Sequence, residues 1–258
     1  MAAKIFALSN QKGGVGKSTT TYNLARAAVL QGLRVLVVDA DPQGNLTTIT
    51  AQDRVTPENI DIADVLTARS DDTAADAIVA GIWDGLSVLP SSDKLAYVRD
   101  ELVTAGGGRE ARLREALAPV GDDYDLILID CPPSLDLVTL NALAAAERVV
   151  IVANASLFSA DGIAKLRETI ATVQRYYNPG LTIAGVIVNQ FESQTNHDKH
   201  WRAELGANIQ PLLTPEIPKH TWIREASEGG VGLDELGTRA ATRLADVYAA
   251  YLDTIRES

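Results

Sequence analysis

Short apolar runs recur along the chain at intervals long enough to hold a helix. Five of them contain four to six residues, mostly aliphatic, with no regular alternation of polar positions. A strand buried on both faces has this pattern, and helix-length spacing between such strands is typical of parallel βαβ units. We therefore predict strands at residues 5–8, 34–38, 126–129, 149–152 and 183–188, with a weaker one at 86–90.

Several segments between and after these runs carry apolar residues at helical spacing. Such spacing follows the first strand at residues 24–30 and recurs at 163–173 and 244–255. Gly106 to Gly108 lack a preceding strand, so we interpret them as a loop before a helix at Glu110 to Leu117. Alternating strands and helices predict an α/β fold, a doubly wound, mainly parallel sheet flanked by helices. Without an internal repeat or a low-complexity linker, residues 1–258 are expected to form a single domain.

The composition is typical of a globular protein and restricts its partners. Apolar residues make up 46% of the chain, which disfavours disorder. The formal net charge is −11, and the acidic excess lies mainly in residues 61–150. A protein of this charge is not a general polyanion binder, although a local basic face on the last third stays open.

Cysteine content and hydropathy bear on the compartment. Cys131 is the only cysteine, which excludes an intrachain disulfide and fits a reducing cytoplasm. No uncharged apolar run reaches the roughly 18 residues of a spanning helix, and no basic-then-apolar leader precedes the first strand. We therefore expect a cytoplasmic protein that does not associate with membranes.

Residues 12–19 read Lys-Gly-Gly-Val-Gly-Lys-Ser-Thr, between the first predicted strand and the first predicted helix. Strand, glycine loop and helix are the context of a phosphate-binding loop. The glycines let backbone amides form an anion-binding nest, and the positive helix end also attracts phosphate. Lys17 can reach the β- and γ-phosphates, and the Ser18 hydroxyl can ligate Mg²⁺. The expected nucleotide contacts are Gln11, Lys12, Gly13, Gly14, Val15, Gly16, Lys17, Ser18 and Thr19.

The loop departs from the general pattern Gly-x-x-x-x-Gly-Lys-Ser/Thr at its first position. Gln11 stands there instead of glycine, and a second lysine, Lys12, follows it. Because Lys17 already serves the bound nucleotide, a lysine on the rim can serve a second nucleotide held by a facing subunit. The alternative is a solvated loop lysine.

Carboxylates follow two of the predicted strands. Asp39 and Asp41 end the second strand, where Pro42 and the following glycine impose a turn. We assign Asp41 to the attacking water and Asp39 to the second shell of the metal. Asp130 follows four apolar residues, as a Walker B carboxylate does, and is expected to help Ser18 hold Mg²⁺. The alternative for each carboxylate is an ordinary turn residue at a strand end.

Together these motifs resemble the ParA-type ATPases of DNA partition systems, P-loop NTPases of the deviant Walker group that also includes MinD. The resemblance spans residues 4 to about 230 and rests on five stretches. Three of them, Lys12–Thr19, Asp39–Asn45 and Asp130–Ser134, are specific to the group. The other two mainly favour the ParA branch. The matching stretches are Lys12–Thr19, Asp39–Asn45, Asp130–Ser134, Gly185–Asn189, and Ile217–Pro218 followed by Glu225–Ala226.

The resemblance implies a cofactor set and a group of partners. It implies ATP and Mg²⁺, an ATP-dependent sandwich homodimer with Lys12 reaching across, and slow hydrolysis stimulated by a ParB-like centromere-binding activator. It also implies DNA binding without sequence preference, hence a nucleoid-associated bacterial protein. By the same matching, Asn189 and Pro218 meet the adenine. Because no helix-turn-helix precedes the phosphate loop, the short form of the family is expected.

The expected DNA-contacting surface departs from the family. Family members often carry arginines at the positions of Gln194 and Trp222. Four basic residues remain nearby in sequence, and they form either the DNA patch or ordinary solvated charges. We expect Trp201 and Trp222 to pack, because nonspecific duplex binding uses phosphate contacts. The four candidates are Lys199, Arg202, Lys219 and Arg224.

Other functions remain possible on this scaffold. A MinD-like membrane ATPase needs a basic amphipathic tail, whereas the charges of the last helix balance and its tyrosines favour docking on the core. A ParA-like ATPase can instead position a protein cargo on the nucleoid. An iron–sulfur reductase needs two bridging cysteines per subunit, and only Cys131 exists. For a ligase or kinase, the sequence reveals no substrate pocket.

Overall fold

The computed structural model describes residues 3–209 and 211–257, leaving aside the side chains of 157–161. Its described strands form an eight-stranded sheet in the order β3-β4-β2-β5-β1-β6-β7-β8. Every neighbouring pair is parallel except β3 and β4 at one edge. The strands are β1 (Lys4–Ser9), β2 (Val35–Asp39), β3 (Val79–Ala80), β4 (Leu86–Leu89), β5 (Leu126–Asp130), β6 (Arg148–Asn154), β7 (Thr182–Asn189) and β8 (Leu212–Leu213).

Helices connect the strands and cover both faces of this sheet. Two short 3₁₀ segments, at Ala118–Asp123 and Leu233–Leu236, complete the described elements. The α-helices are α1 (Lys17–Leu30), α2 (Asn45–Thr50), α3 (Ile62–Leu66), α4 (Ala74–Ala77), α5 (Lys94–Thr104), α6 (Arg112–Leu117), α7 (Leu137–Ala145), α8 (Leu157–Tyr176), α9 (Asn196–Asn208), α10 (Thr221–Glu228) and α11 (Arg239–Glu257).

Alternate residues of the central strands supply two separate cores. Phe6 and Leu8 of β1 pack on one face, together with buried residues of α1, α10 and α11. Ala7 belongs to the other face, where residues of α3, α5, α6, α7 and α8 pack. Because successive strand residues point to opposite faces, a wholly apolar strand needs helices on both sides. The predicted doubly wound sheet is therefore confirmed.

The predicted strands are all present, and the larger helices lie where the spacing indicates. Two predicted boundaries are wrong by two residues, because α6 begins at Arg112 and not at Glu110, and β6 ends at Asn154 and not at Val152. Tyr248 and Tyr251 of α11 are each 1% exposed and pack in the core, as expected for a docked helix. In residues 3–209 and 211–257, no helix is both long enough and apolar enough to cross a membrane.

The strand order brings three predicted sites to one edge of the sheet. β5 lies between β2 and β1, so Asp130 stands opposite Asp39 in the register of the parallel pair. The phosphate loop leaves the neighbouring strand β1 at the same, carboxyl edge. In an open α/β sheet, ligands bind outside these carboxyl ends. We call residues 10–16 together with Asp39 and Asp130 the phosphate-loop edge.

Candidate nucleotide site

The phosphate loop adopts a conformation that requires glycine at two positions. Gly14 and Gly16 have φ angles of 71° and 89°, in the left-handed region that other residues rarely adopt. A Cβ on Gly16 would lie 2.2 Å from the Asn189 side-chain nitrogen, so any side chain there would collide with it. Helix α1 begins directly afterwards at Lys17. The loop thus places backbone amides and a helix N-terminus around one point, as anion binding needs.

The end of β7 fixes this loop from the side. Asn189 Nδ2 donates to the Val15 carbonyl at 2.9 Å, and Gln190 Nε2 donates to the Gly14 carbonyl at 3.0 Å. Gln190 has a φ of 54°, the one left-handed residue other than glycine among the described residues. Pro218 pairs with Phe191 just beyond this strand end. The two predicted adenine residues, Asn189 and Pro218, therefore lie on the β7 side of the loop, together with Gln190, which no sequence motif indicated.

Asp130 is a buried carboxylate whose hydrogen-bonding capacity is unused. It is 1% exposed, and within the described chain neither oxygen has a hydrogen-bond partner. Burial, reinforced by the charge of Asp39, raises the pKa of Asp130 to about 8, although the Ser18 hydroxyl and the Lys17 charge oppose the rise. Lys17 itself is only 7% exposed. A buried acid without a partner, beside a hydroxyl and an ammonium group, fits a cation-binding position.

These residues fit Mg²⁺. The ion prefers oxygen ligands, keeps several waters and is usually held by one or two carboxylates with substrate phosphates. Ser18 and Asp130 supply the hydroxyl and the carboxylate. Among the residues described, no three His, Cys, Asp or Glu side chains converge on a metal position, so the protein provides no complete cage. When bound, Mg²⁺ neutralises charge on the phosphate oxygens.

Asp39 is equally buried, but its oxygens are occupied. Oδ2 accepts from the Thr47 amide and from the Thr47 hydroxyl, each at 2.8 Å, and Oδ1 accepts from the Asp41 amide at 3.1 Å. Burial raises the pKa of Asp39 to about 6, and the bonds from Thr47 oppose the rise. Asp41 is half-buried on the following loop, and its own Oδ1 accepts from the Gln43 amide at 3.0 Å. Asp39 therefore holds its loop, while Asp41 lies at the loop's surface.

Lys12 lies on the rim of the loop, toward β6. Its amide donates to Asn10 Oδ1 at 3.1 Å. Its ammonium group donates to Asn154 Oδ1 at 3.2 Å and to Ser156 Oγ at 3.0 Å, both just at the end of β6. Lys17 is therefore buried at the end of the phosphate loop, and Lys12 lies at the edge of the same loop.

The predicted DNA-contacting residues lie on α9, α10 and the segment between them. We call these four side chains the α9–α10 surface. Lys199 is exposed, whereas the other three form ion pairs with carboxylates of the same region. Trp201 and Trp222 are half-buried and pack against the two cores, as predicted. The ion pairs are Arg202 with Glu216 at 2.5 Å, Lys219 with Glu192 at 2.6 Å and Arg224 with Glu228 at 3.3 Å.

Comparison with known proteins identifies the class that this geometry defines. A family model described as an AAA domain matches residues 3–183. The chain is 42% identical over 255 residues to the sporulation initiation inhibitor protein Soj of Bacillus subtilis, covering 98% of this chain and 97% of Soj. It is 36% identical over 233 residues to the chromosome partitioning protein ParA of Caulobacter vibrioides, covering 88% of this chain and 85% of that protein.

A solved structure agrees on the cofactors. Cobyrinic acid a,c-diamide synthase from Mycobacterium smegmatis, crystallised with an ATP analogue and magnesium, superposes with a TM-score of 0.81 at 31% identity, covering 97% of this chain and 93% of that one. The protein is therefore an AAA-domain ATPase that hydrolyses ATP to ADP and phosphate and uses ATP and Mg²⁺. Within that class the chain belongs to the ParA/MinD family.

Proposed function

We propose that this ATPase is a switch that positions DNA during partition in the bacterial cytoplasm. ATP joins two subunits, the dimer binds DNA of the nucleoid without sequence preference, and a ParB-like centromere-binding partner stimulates hydrolysis and release. Each ligand that binds the dimer better than the monomer shifts the equilibrium between them. The similarity to Soj and to a chromosome partitioning protein supports this proposal. The proposed cargo is a plasmid or a chromosome.

One observation carries the proposal: the phosphate loop has two lysines in different positions. Lys17 is buried at the start of α1, where it can contact the phosphates of its own subunit's ATP. Lys12 lies on the rim, with its ammonium group at the end of β6. A monomeric ATPase has one bound nucleotide and needs one phosphate-loop lysine to contact it. A second lysine at the rim fits contact with the nucleotide of a facing subunit, which supports an ATP-dependent homodimer.

The other side chains of the site receive roles that follow from their placement. Ser18 and Asp130 hold Mg²⁺, and Asp39 supports the metal region from a second layer. Asp41, on the surface of its loop, orients the attacking water. Asn189 and Pro218 border the adenine. The remaining loop residues, 11 and 13–16 with Thr19, surround the phosphates.

DNA binding is the property that distinguishes this function most directly. We expect duplex DNA to bind with ATP, and to bind weakly or not at all with ADP or without nucleotide. Because phosphate contacts release counterions, affinity should fall as salt rises, with a slope of about 0.9 per phosphate contact. Fluorescence anisotropy on a labelled random duplex measures both dependences. DNA binding that ignores the nucleotide would contradict the proposal.

Lys12 tests the dimer directly. We expect Lys12→Ala and Lys12→Gln to retain ATP binding but to lose ATP-dependent dimerisation and partner-stimulated hydrolysis. Arg243→Ala removes an exposed positive charge on α11, which contributes no residue to the phosphate-loop edge, and serves as the control. Mass photometry with ATP and ADP reports the dimer, and phosphate release reports turnover. Full stimulated turnover in Lys12→Ala would show that the rim lysine has no cross-subunit role.

The synthase likeness favours a second candidate, an ATP-dependent enzyme that forms amides on a small metabolite. The two functions differ in what stimulates ATP turnover. DNA and a partner protein should accelerate hydrolysis by the switch, whereas a carboxylic acid substrate with an amine donor should accelerate hydrolysis by the enzyme. Turnover assays with each addition separate them. A nucleoid-bound switch with a protein cargo would share the first result and differ in its partner.

A further inference from the structure

Thr47, on the short helix α2, connects two segments beside the nucleotide site. Its hydroxyl donates to Asp39 Oδ2 at 2.8 Å and accepts from the Ser91 amide at 2.9 Å. Its own amide donates to the same Asp39 oxygen at 2.8 Å. Thr47 is 4% exposed, so water does not replace these bonds readily. One hydroxyl group thus joins the carboxylate that ends β2 to the segment that follows β4.

The same carboxylate holds the loop that carries Asp41. Asp39 Oδ1 accepts from the Asp41 amide at 3.1 Å, and the turn closes with the Gly44 amide on the Asp41 carbonyl at 2.9 Å. Any rotation of the Asp39 carboxylate therefore moves the acceptor of the Asp41 amide. Thr47 opposes that rotation with two bonds to the other oxygen.

The segment after β4, which donates to Thr47, is itself held by hydrogen bonds and close contacts. Ser92 Oγ donates to Asp61 Oδ2 at 2.5 Å, and Asp61 also caps α3 by accepting from the Ala63 amide at 2.7 Å. A Cβ on Gly44 would lie 3.1 Å from the Ser91 carbonyl, so the loop and this segment are in close contact. The loop is consequently held between β2 and the end of β4.

We propose that Thr47 is a positioning residue for ATP hydrolysis. Its hydroxyl fixes the Asp39 carboxylate, and through the Asp41 amide it fixes the loop on which the Asp41 side chain meets the attacking water. This inference rests on the proposed role of Asp41 and is independent of dimerisation and DNA binding. A displacement of about 1 Å in a reacting group can slow catalysis by about 100-fold, so a hydrogen bond one layer away has a measurable effect.

The test compares substitutions on the same helix. Thr47→Val keeps the shape and removes the hydroxyl, Thr47→Ser keeps the hydroxyl, and Thr47→Ala repeats the loss if the valine variant does not fold. Thr50→Val is the matched control, because Thr50 is also buried on α2 but, among the described residues, its hydroxyl bonds only to the Leu46 carbonyl of its own helix. The readouts are kcat and the Kd for ATP of full-length protein without DNA or partner, and amide hydrogen exchange of residues 40–44 without nucleotide.

We expect Thr47→Val and Thr47→Ala to lower kcat by about 10- to 100-fold with little change in the Kd for ATP. Exchange at the Asp41 amide should accelerate about tenfold, as loss of one hydrogen bond to a charged group predicts. Thr47→Ser should restore both, and Thr50→Val should change neither.

Wild-type exchange at residues 40–44 in Thr47→Val, or an equal loss of kcat in Thr50→Val, would overturn the inference. Asp41→Ala separates this inference from the larger proposal. An inactive Asp41→Ala beside a fully active Thr47→Val removes the role of Thr47 alone. An active Asp41→Ala removes the proposed role of Asp41 and, with it, the catalytic part of this inference.

Discussion

The phosphate-loop edge and the α9–α10 surface were both predicted from short stretches of sequence, but the structure arranges their residues differently. At the loop, residues within eight positions of one another form the cradle, and Asp39 and Asp130 reach it by the register of neighbouring strands. On α9 and α10, residues 191–228 contain four basic and six acidic residues, and three of the four bases are paired. A local backbone conformation follows from local sequence, whereas a surface potential depends on which distant charges come together.

The strongest test of the first region is Asp130→Asn. Removal of the carboxylate would leave the proposed Mg²⁺ site with Ser18 alone, so we expect the rate of ATP hydrolysis to fall by about 10²- to 10³-fold. Phosphate release under saturating ATP, across a magnesium series, measures the loss. Asp125→Asn, which changes a half-buried acid just before the first residue of the same strand, is the control. Turnover equal to wild type in Asp130→Asn would exclude Asp130 from the magnesium site.

Gly16→Ala should weaken ATP binding by at least about tenfold, because a left-handed φ and a collision with Asn189 together distort the cradle. Gly106→Ala is the matched control, since a Cβ there meets nothing within 4 Å and its φ lies outside the left-handed region. Isothermal titration with an ATP analogue gives the affinities. Equal affinities in the two variants would mean that the loop tolerates side chains and that its glycines do not define the site.

The buried carboxyl group of Asp130 also predicts a pH dependence of stability. The pKa of Asp130 is raised to about 8 in the folded protein, against about 4 when unfolded. Folding therefore takes up a proton between these values, and wild-type stability without Mg²⁺ or nucleotide should fall as pH rises from 4 to 8. Asp130→Asn has no such proton, so its stability relative to wild type should increase by at most about 1.4 kcal/mol per pH unit. Denaturant unfolding in EDTA at several pH values measures this difference.

The other end of β5 supplies a control of opposite sign. Hydrogen bonds from the Arg34 side chain and backbone lower the pKa of Asp125 to about 2. The stabilisation that this carboxylate provides is complete above pH 4 and is lost as pH falls toward 2. Asp125→Asn should therefore be destabilised by a constant amount between pH 4 and 8. A flat difference for Asp130→Asn as well would contradict the raised pKa.

The smallest effects are expected on the α9–α10 surface. If these bases meet DNA, Lys199→Ala should weaken binding more than Arg202→Ala, whose charge Glu216 already offsets. Glu192→Gln removes the partner of Lys219 and should strengthen binding a few-fold. Each lost phosphate contact should reduce the salt slope by about one. Unchanged affinity and slope in all three variants would place the proposed DNA-binding face elsewhere on the protein.

The strands and long helices could be predicted because each repeats a pattern over several residues. The two-residue strands β3 and β8 could not be predicted, because two residues are too few to show a periodic pattern. Nor did the sequence indicate that Gln190 contacts the loop, because that contact joins positions 176 residues apart. Thr47 was missed for a related reason. Its position beside Asp39 depends on how α2 returns toward β2, and a threonine by itself predicts no such bond.

Both margins of the sheet are formed by strands of two residues, β3 and β8. Long, unpaired margins invite other chains to add strands, which leads to aggregation. Margins this short offer little backbone for such pairing. Under the proposed function, in which copies meet and separate repeatedly, such short margins keep encounters there from becoming permanent.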